Sequence, residues 1–223
     1  MNRTKIEWTD YTWNPITGCK HGCWYCYARK LAQRFKKIFP NGFEPTFHPE
    51  RLKEPWELKK PSKIFVCSIA DLFAPWTQVE WRHAVLQSIF DCPIKHTFQM
   101  LTKNPEEIPR FLGWKQNMWL GTTVTNTDND WQNIAWIRLV KCPVKFVSFE
   151  PLLYKLPSWV SLEGIQWVII GKLTGSKKVK LEREWVQEIL RRAQNYSIPV
   201  FMKDNLCPPF EKSELIQEFP KEV

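Results

Sequence analysis

Segments of two kinds alternate along the chain and constrain its fold more than any other feature. Short runs rich in β-branched and aromatic residues predict strands at 11–17, 63–68, 96–102, 118–124, 144–149, 166–171 and 199–203. Amphipathic segments predict helices at 27–39, 78–90, 105–112, 128–140 and 182–194, the fourth with Thr127 or Asp128 as its N-cap. This alternation is typical of an α/β fold in which crossover helices connect parallel strands.

No internal repeat or change in composition marks a second domain. We expect a single domain over residues 1–203 and a C-terminal tail, 204–223, that has little to bury. No Gly-rich phosphate-binding fingerprint follows the first predicted strand, which disfavours a Rossmann fold. No apolar run approaches the ~20 residues that a membrane span needs, and the basic N-terminus lacks the apolar segment of a signal peptide. We therefore expect a cytoplasmic protein.

The composition is basic, since 32 Lys and Arg residues against 23 Asp and Glu residues give a net charge of +9. Such a charge favours an anionic partner, most simply a nucleic acid, although a basic surface also serves solubility alone. The Lys and Arg residues are scattered along the chain rather than gathered in one block. Both interpretations therefore stay open.

Three of the seven cysteines lie within eight residues, Cys19, Cys23 and Cys26, with the spacing C-x3-C-x2-C. Clustered thiolates repel one another unless a soft cation such as zinc or an iron–sulfur cluster binds them. Three cysteines on a four-iron cluster would leave one iron open to an exogenous ligand. A zinc knuckle would need a fourth ligand, and the candidates are His21, Cys67 and Cys207. A disulfide framework is disfavoured, because the number of cysteines is odd and a chain this long suits intracellular thiols.

The cysteine spacing, with the aromatic Tyr25 directly before the last cysteine, resembles the signature of radical SAM enzymes. Further segments strengthen the resemblance: KIEWT at 5–9, TWNP at 12–15, HPERL at 48–52, ADLF at 70–73, LTK at 101–103, WLG at 119–121 and FEPL at 149–152. Over residues 4–203 the chain is similar to the radical-SAM-like phage and prophage protein family.

The resemblance implies a partial (β/α)6 TIM-like barrel and a [4Fe–4S] cluster held by Cys19, Cys23 and Cys26. It also implies that S-adenosylmethionine (SAM) chelates the open iron, with Tyr25 near the adenine. Reductive cleavage of SAM would then yield a 5′-deoxyadenosyl radical, with an electron donor such as flavodoxin or ferredoxin.

In α/β barrels the chemistry lies at the carboxyl ends of the strands. The candidates there are polar or charged: Ser68, Asp71, Thr102, Lys103, Thr123, Asn126, Ser148, Glu150, Lys172 and Lys203. For SAM we expect the carboxylate to bind Lys103 or Thr102, the ammonium to bind Ser68 or Asp71, and the ribose to bind Asn126 or Glu150. Ser148 is a further candidate for binding SAM.

Glu150 and Lys172 are the candidates for catalysis. Glu150 stands between Phe149 and Pro151, and a carboxylate in an apolar setting needs a partner. The alternative for Lys103 and Asn126 is helix capping and a solvated loop.

The sequence departs from the radical SAM pattern in two places. The Gly-Gly-Glu stretch usual after the second strand is replaced by SIAD at 68–71. The Gly-Gly-Glu-Ser-Gly run that relatives of the family have after the sixth strand is replaced by GKLTG at 171–175, followed by Lys177 and Lys178. The second change removes a carboxylate and suits an anionic substrate.

The Pro-rich stretch 40–61 has two interpretations. Its residues 48–51 line the site, or the stretch is a surface loop with a short helix at 50–58.

The leading hypothesis is a radical SAM enzyme that modifies or repairs a nucleic acid. The alternatives are a zinc-stabilised basic protein that binds nucleic acid without catalysis, and a radical SAM enzyme acting on a peptide or small molecule.

Overall fold

The computed structural model describes residues 1–37, 39, 41–110, 113–127, 129–175 and 179–221. The chain divides into two units, Met1–Thr102 and Lys103–Val223. Each unit is built on parallel strands that alternate with helices. No helix in the described ranges has the length and hydropathy needed to cross a membrane.

The described residues of the first unit form six strands and two α-helices. The strands are β1 (Asn2–Arg3), β2 (Tyr11–Trp13), β3 (Ile16–Thr17), β4 (Thr46–Phe47), β5 (Lys63–Val66) and β6 (Thr97–Thr102). The helices are α1 (Tyr27–Arg34) and α2 (Val79–Phe90), with 3-10 turns at Pro49–Arg51 and Glu54–Glu57. Strands β2, β5 and β6 are parallel neighbours, β1 joins β2 antiparallel, and β3 pairs with β4 as a separate ribbon.

In the second unit, the part of the chain that the structure describes forms four parallel strands and two α-helices. The strands are β7 (Met118–Thr123), β8 (Val144–Phe149), β9 (Trp167–Ile170) and β10 (Val200–Met202), and they pair in that order. The helices are α3 (Asn133–Arg138) and α4 (Arg183–Asn195). Short 3-10 turns lie at Pro105–Glu107, Asp130–Gln132, Asp204–Leu206 and Lys212–Glu214.

Each unit has an aromatic core on its sheet. In the first unit Trp13 and Phe98 are fully buried, with ring centroids 6.2 Å apart. In the second unit Phe146 and Trp167 are fully buried, with centroids 5.5 Å apart. Gly121 of β7 makes room for Phe146, because a Cβ there would lie 2.4 Å from its ring.

Every predicted strand overlaps an observed one, because a strand buried on both faces is a continuous apolar run that the sequence displays directly. The prediction of one strand at 11–17 is wrong, since the segment is interrupted before Pro15 and becomes β2 and β3. Helices 78–90 and 182–194 are confirmed to within one residue.

Three helix predictions are wrong in length. The helix predicted at 27–39 ends at Arg34, and residue 38 of the predicted range lies outside the described residues. The helix predicted at 105–112 is a single 3-10 turn, and residues 111–112 lie outside the described part. The helix predicted at 128–140 is a 3-10 turn followed by α3.

The N-cap prediction for that segment is also corrected. Asp128 lies outside the described residues, and Thr127 does not cap the turn. Asn129, in a left-handed conformation with φ +60°, precedes the 3-10 turn instead. The carboxylate of Asp130 is used by the preceding turn, where it accepts from the backbone N–H groups of Thr125 and Asn126.

The C-terminal segment is not a tail with little to bury. Leu206 and Phe210 are buried. Phe219 stacks on Trp167 with ring centroids 5.4 Å apart, and Glu218 O accepts a hydrogen bond from Trp167 Nε1 at 2.8 Å. Residues 204–221 are therefore part of the second unit.

Candidate functional site

The cysteine loop begins just after β3 and is fixed by its backbone. Gly18 N donates to Ile69 O at 3.2 Å, and Cys19 N donates to Phe43 O at 3.0 Å. Gly18 has φ +86°, and a Cβ on it would lie 2.2 Å from Glu44 O. Only glycine fits at that position, so the first cysteine starts from a well-defined point.

The loop ends at the N-terminus of α1. Cys26 N donates to Cys23 O at 3.1 Å. The Sγ of Cys26 caps the helix by accepting a hydrogen bond from Arg29 N at 3.4 Å. A helix N-terminus stabilises negative charge, so this position suits a thiolate ligand.

Burial and neighbouring charged groups act on the thiol of Cys19. Burial is the main cause that raises the pKa of Cys19 to about 12. The Asp71 carboxylate and the thiols of Cys23 and Cys26 raise this pKa further, whereas a hydrogen bond from the backbone N–H of His21 lowers it. Thiolates that repel one another are stabilised by a cation, and binding of a cation would release the protons of the thiols.

This donor set fits an iron–sulfur cluster. In a cubane each cysteine binds a different iron, so its sulfurs are spaced more widely than the ligands of one ion. Among the described residues, no group of three or more His, Cys, Asp or Glu side chains is arranged to hold a metal ion.

Asp71 connects the cysteine loop to the end of β6 within the first unit. Its Oδ2 lies 2.8 Å from Nε2 of His21. Its Oδ1 accepts hydrogen bonds from Thr102 Oγ1 at 2.6 Å and from Phe73 N at 3.1 Å. The residue is only 4% exposed. Its carboxylate therefore positions His21, in the middle of the cysteine loop.

Ser68 and Tyr25 lie near the same loop. Ser68 Oγ donates to Asn14 Oδ1 at 3.1 Å, and Ser68 O accepts from Tyr27 Oη at 3.1 Å. The Tyr25 ring contacts Trp24 edge to face, with centroids 5.5 Å apart. Tyr25, Ser68, Asp71 and Thr102 are thus all in the first unit, and their roles in binding SAM stay predictions.

The Pro-rich stretch 40–61 is tied to the start of this loop. His48 Nε2 lies 3.0 Å from Thr17 Oγ1, and His48 N donates to Pro15 O at 2.8 Å. Arg51 O accepts from Trp13 Nε1 at 2.8 Å. In place of the helix expected at 50–58, the stretch forms two 3-10 turns, of which the first contacts β2 through Arg51 and the second contacts α2 through Trp56.

In the second unit the carboxyl ends of β8 and β10 carry an ion pair. Lys203 Nζ donates to Glu150 Oε1, and both side chains are largely buried. Gly171, which follows β9, lies between them, because a Cβ there would be 3.1 Å from atoms of both side chains. The expectation that Glu150 has a partner is confirmed, and the partner is Lys203.

Lys172 is engaged by backbone carbonyls. Its Nζ donates to Pro208 O at 2.8 Å and to Cys207 O at 3.1 Å, and its N donates to Asn205 Oδ1 at 3.1 Å. This lysine therefore holds the segment after β10. Lys177 and Lys178 lie outside the described residues.

Asn126 stands in a turn after β7 with φ +60°. Its Nδ2 donates to Tyr154 O at 2.8 Å, whereas its buried Oδ1 has no hydrogen-bond partner among the residues that the structure describes. A buried acceptor without a donor is costly, so a ligand donor at this point would be stabilised. Near the same strand ends, Ser148 and Thr123 are buried, and Lys103 O accepts from Asn133 Nδ2 at 3.1 Å.

Sequence reasoning missed one contributor and one pairing. Asn14 accepts hydrogen bonds from Ser68 Oγ and Ile69 N, and its signal is its place in the TWNP segment directly before Pro15. Lys203 is among the candidates predicted at the strand ends, but its pairing with Glu150 depends on a contact across 53 residues. No local pattern marks that contact.

Comparison with solved structures confirms the fold class, α/β with parallel strands of the partial-barrel type. Spore photoproduct lyase complexed with dinucleoside spore photoproduct matches with a TM-score of 0.58 and 11% identity, over 90% of this chain and 78% of that chain. A variant of that lyase with bound AdoMet and dinucleoside spore photoproduct matches with a TM-score of 0.58 and 12% identity over the same shares. A third structure, a variant with dinucleoside spore photoproduct, gives 0.59 and 12%, again over 90% of this chain and 78% of that chain.

None of the curated proteins compared with the chain matches it. A family match, by contrast, extends over nearly the whole sequence. Residues 3–207 match the family described as Protein of unknown function (DUF5131), and the chain therefore belongs to that family.

Proposed function

We propose that this protein is a radical SAM enzyme whose [4Fe–4S] cluster is held by Cys19, Cys23 and Cys26. The observation that carries the proposal is the anchoring of the cysteine loop, which the backbone bonds of Gly18 and Cys19 fix at one end and the N-terminus of α1 fixes at the other. Burial, the Asp71 carboxylate and the neighbouring thiols also raise the pKa of Cys19 to about 12, which favours a cation beside its thiolate. Three such ligands suit a cluster with one open iron.

The fold supports the same conclusion. A lyase whose solved structure holds AdoMet and a dinucleoside spore photoproduct shares this fold over 90% of the chain. Fold alone does not fix function, so the weight rests on the cysteine loop. When bound, the cluster would supply the one electron needed to cleave SAM into methionine and a 5′-deoxyadenosyl radical, and an electron donor such as flavodoxin or ferredoxin would reduce the cluster again.

Residues of the first unit would position the cofactors. Cys26 stands at the positive end of α1, which stabilises its thiolate. Asp71 positions His21 and thereby the middle of the cysteine loop. Residues that contact the ligands rather than the metal have the same effect at many metal sites. Tyr25, Ser68 and Thr102 are proposed to contact SAM.

Residues of the second unit are proposed to bind the rest of SAM and to act on the substrate. The unpartnered Oδ1 of Asn126 is suited to accept a hydrogen bond from a ribose hydroxyl. Lys103, Ser148 and Glu150 remain proposed SAM contacts. For the catalytic cation the contacts favour Lys203, which pairs with Glu150, over Lys172, whose ammonium group is bound by two carbonyls.

A nucleic acid is the substrate that we propose. The chain carries a net charge of +9, which attracts polyanions. The lyases with the same fold are complexed with a dinucleoside photoproduct, a piece of nucleic acid. A peptide or a small molecule would be attracted less strongly by this net positive charge than a nucleic acid is.

Anaerobic reconstitution tests the proposal. We expect a brown protein with about four irons and four sulfides per chain, and SAM-dependent formation of 5′-deoxyadenosine when dithionite is the reductant. Cys23→Ala should abolish both cluster assembly and SAM cleavage while the midpoint of urea unfolding of the apoprotein stays unchanged.

Cys92→Ala is the matched control, because this thiol follows α2 and lies outside the cysteine loop. The control should keep the iron, the sulfide and the 5′-deoxyadenosine yield. A colourless protein with one zinc ion per chain would instead identify the zinc-stabilised binding protein, and SAM cleavage by Cys23→Ala would refute the ligand assignment.

A further inference from the structure

Helix α1, which follows the cysteine loop directly, presents an unusual face to solvent. The side chains of this face recur at the spacing i, i+3, i+4 and i+7, which places them on one side of the helix: Tyr27, Lys30, Leu31 and Arg34. The opposite side buries Ala28 and Ala32 against the first unit. Phe35, directly after the helix, extends the exposed face.

The exposed face is rich in large apolar groups. Tyr27 is 53% exposed, Leu31 is 38% exposed and Phe35 is 42% exposed. The apolar stripe of a surface helix normally faces the core, and here it faces water. A contiguous exposed apolar patch of this kind is typical of a binding surface.

The charge of the same segment has one sign. Residues 11–43 contain no Asp or Glu and six Lys and Arg residues: Lys20, Arg29, Lys30, Arg34, Lys36 and Lys37. The expected scatter of basic residues therefore does not hold here. The guanidinium carbon of Arg34 lies 5.4 Å from the centre of the Phe35 ring, so cation and ring stand side by side.

We propose that the α1 face, defined as Tyr27, Lys30, Leu31, Arg34 and Phe35, binds single-stranded nucleic acid. Lys30 and Arg34 would contact phosphates, and the rings of Tyr27 and Phe35 would stack on bases. Proteins bind single-stranded nucleic acids without sequence preference in this way. A duplex hides the faces of its bases, so exposed rings favour an unpaired strand. The inference rests on the proposed function, because it places the strand beside Cys26.

Fluorescence anisotropy with a labelled oligothymidylate of about 16 nucleotides tests the surface on the full reconstituted protein. The double variant Lys30→Glu/Arg34→Glu should bind more weakly. It should also lower the slope of log affinity against log salt by about 1.4, since each phosphate contact on a single strand contributes about 0.7. Phe35→Ala should weaken binding about tenfold without changing the slope.

Matched controls lie in the second unit. Lys180→Glu/Lys212→Glu changes the net charge of the chain by the same amount at two exposed positions, and Tyr196→Ala removes an exposed ring. Both should retain wild-type affinity. Because all the altered side chains are exposed, the thermal midpoints of unfolding should stay within a few degrees of the wild type, which separates lost binding from lost folding.

Four outcomes would contradict the proposal that the α1 face binds single-stranded nucleic acid. The first is that the α1 variants bind the oligothymidylate like the wild type, and the second is that the control charge variant weakens binding as much as the α1 charge variant does. The third is that a duplex of equal length binds as tightly as the single strand. The fourth is that the protein binds only anionic vesicles of phosphatidylserine and phosphatidylcholine. The proposed function fails separately, because it depends on SAM cleavage by the wild type. A protein that binds the strand through α1 but cleaves no SAM would keep this inference and lose that function.

Discussion

Two glycines of the cysteine loop share a left-handed backbone but differ in their surroundings. Gly18 has φ +86° and Gly22 has φ +69°. A Cβ on Gly18 would lie 2.2 Å from Glu44 O, whereas a Cβ on Gly22 would meet nothing within 4 Å. The pair therefore separates the cost of backbone conformation from the cost of steric overlap.

We expect Gly22→Ala to lower the free energy of unfolding of the apoprotein by about 1 kcal/mol, the cost of a left-handed alanine. Gly18→Ala should lower it by about 3 kcal/mol, because overlap with a backbone carbonyl adds about 2 kcal/mol. Equilibrium urea unfolding under reducing conditions measures both values. Equal losses in the two variants would show that the 43–44 segment moves away freely.

At the scale of single residues, the sequence predicts which side chains carry functional groups better than it predicts which residues those side chains contact. The spacing of Cys19, Cys23 and Cys26 identifies a cation-binding loop, and the apolar flanks of Glu150 predict that it has a partner. The identity of that partner, Lys203, depends on where β8 and β10 end relative to each other in space. The link from Asp71 to His21 likewise joins residues 50 apart in the chain.

Among the elements, strands were predicted more reliably than helices. The buried strands β5 to β10 are apolar on both faces, and that signal is local. The segments 105–112 and 128–140 have helical spacing, but the described part of the first contains only the 3-10 turn Pro105–Glu107, and the second has the 3-10 turn Asp130–Gln132 before α3. In the second case side-chain bonding explains the loss of the first helical turn, since Asp130 caps the preceding turn instead.

His96 joins three elements of the first unit at the start of β6. Its Nδ1 accepts from Ser62 N, just before β5, at 3.2 Å, and its Nε2 lies 3.0 Å from Pro55 O in the second 3-10 turn. The ring is completely buried, and burial lowers the pKa of His96 below its usual 6.5. Protonation would also place a proton on the nitrogen that accepts from Ser62.

The sign of the pH effect follows from that lowered pKa. The unfolded chain binds the proton first, so His96 leaves stability intact above about pH 6.5 and reduces it as pH falls toward its folded pKa. The slope contributed is at most about 1.4 kcal/mol per pH unit. His96→Gln should flatten the fall in unfolding free energy between pH 7 and pH 5, measured by urea titration at each pH.

Part of the slope should survive in that variant, because burial also lowers the pKa of His48. His83→Gln, at an exposed position of α2, is the control and should keep the wild-type slope, since the bonds of His96 to Ser62 and Pro55 remain. An unchanged slope in His96→Gln would show that the histidine does not carry the effect.

At the scale of the whole molecule, the sequence suggested the fold class but not the extent of the second unit. Alternating strands and helices predict an α/β fold, and the solved structures confirm it. The segment after β10 is rich in Pro, Glu and Lys, which gave no periodic signal. Its packing depends on Trp167, a strand residue 52 positions before Phe219, and such a long-range contact is invisible in a local pattern.

The last part of the chain should therefore be needed for stability. Ile216 O accepts from Met202 N at 2.7 Å, Glu218 N donates to Val200 O at 2.9 Å, and Phe219 covers Trp167. A chain that ends at Leu215 would leave β10 without these bonds and expose the Trp167 ring. We expect a loss of several kcal/mol in unfolding free energy, with a red shift of tryptophan fluorescence.

Two point variants test the contribution of the Phe219 ring by itself. Phe219→Ala should lower the free energy of unfolding by about 2 kcal/mol, roughly half the cost for a fully buried phenylalanine, because its ring is only half-buried. Lys221→Ala, at an exposed position two residues later, should change it by less than about 0.5 kcal/mol. Wild-type stability in the truncated chain would mean that β9 and β10 are held by the rest of the second unit, and that residues 216–221 only cover it.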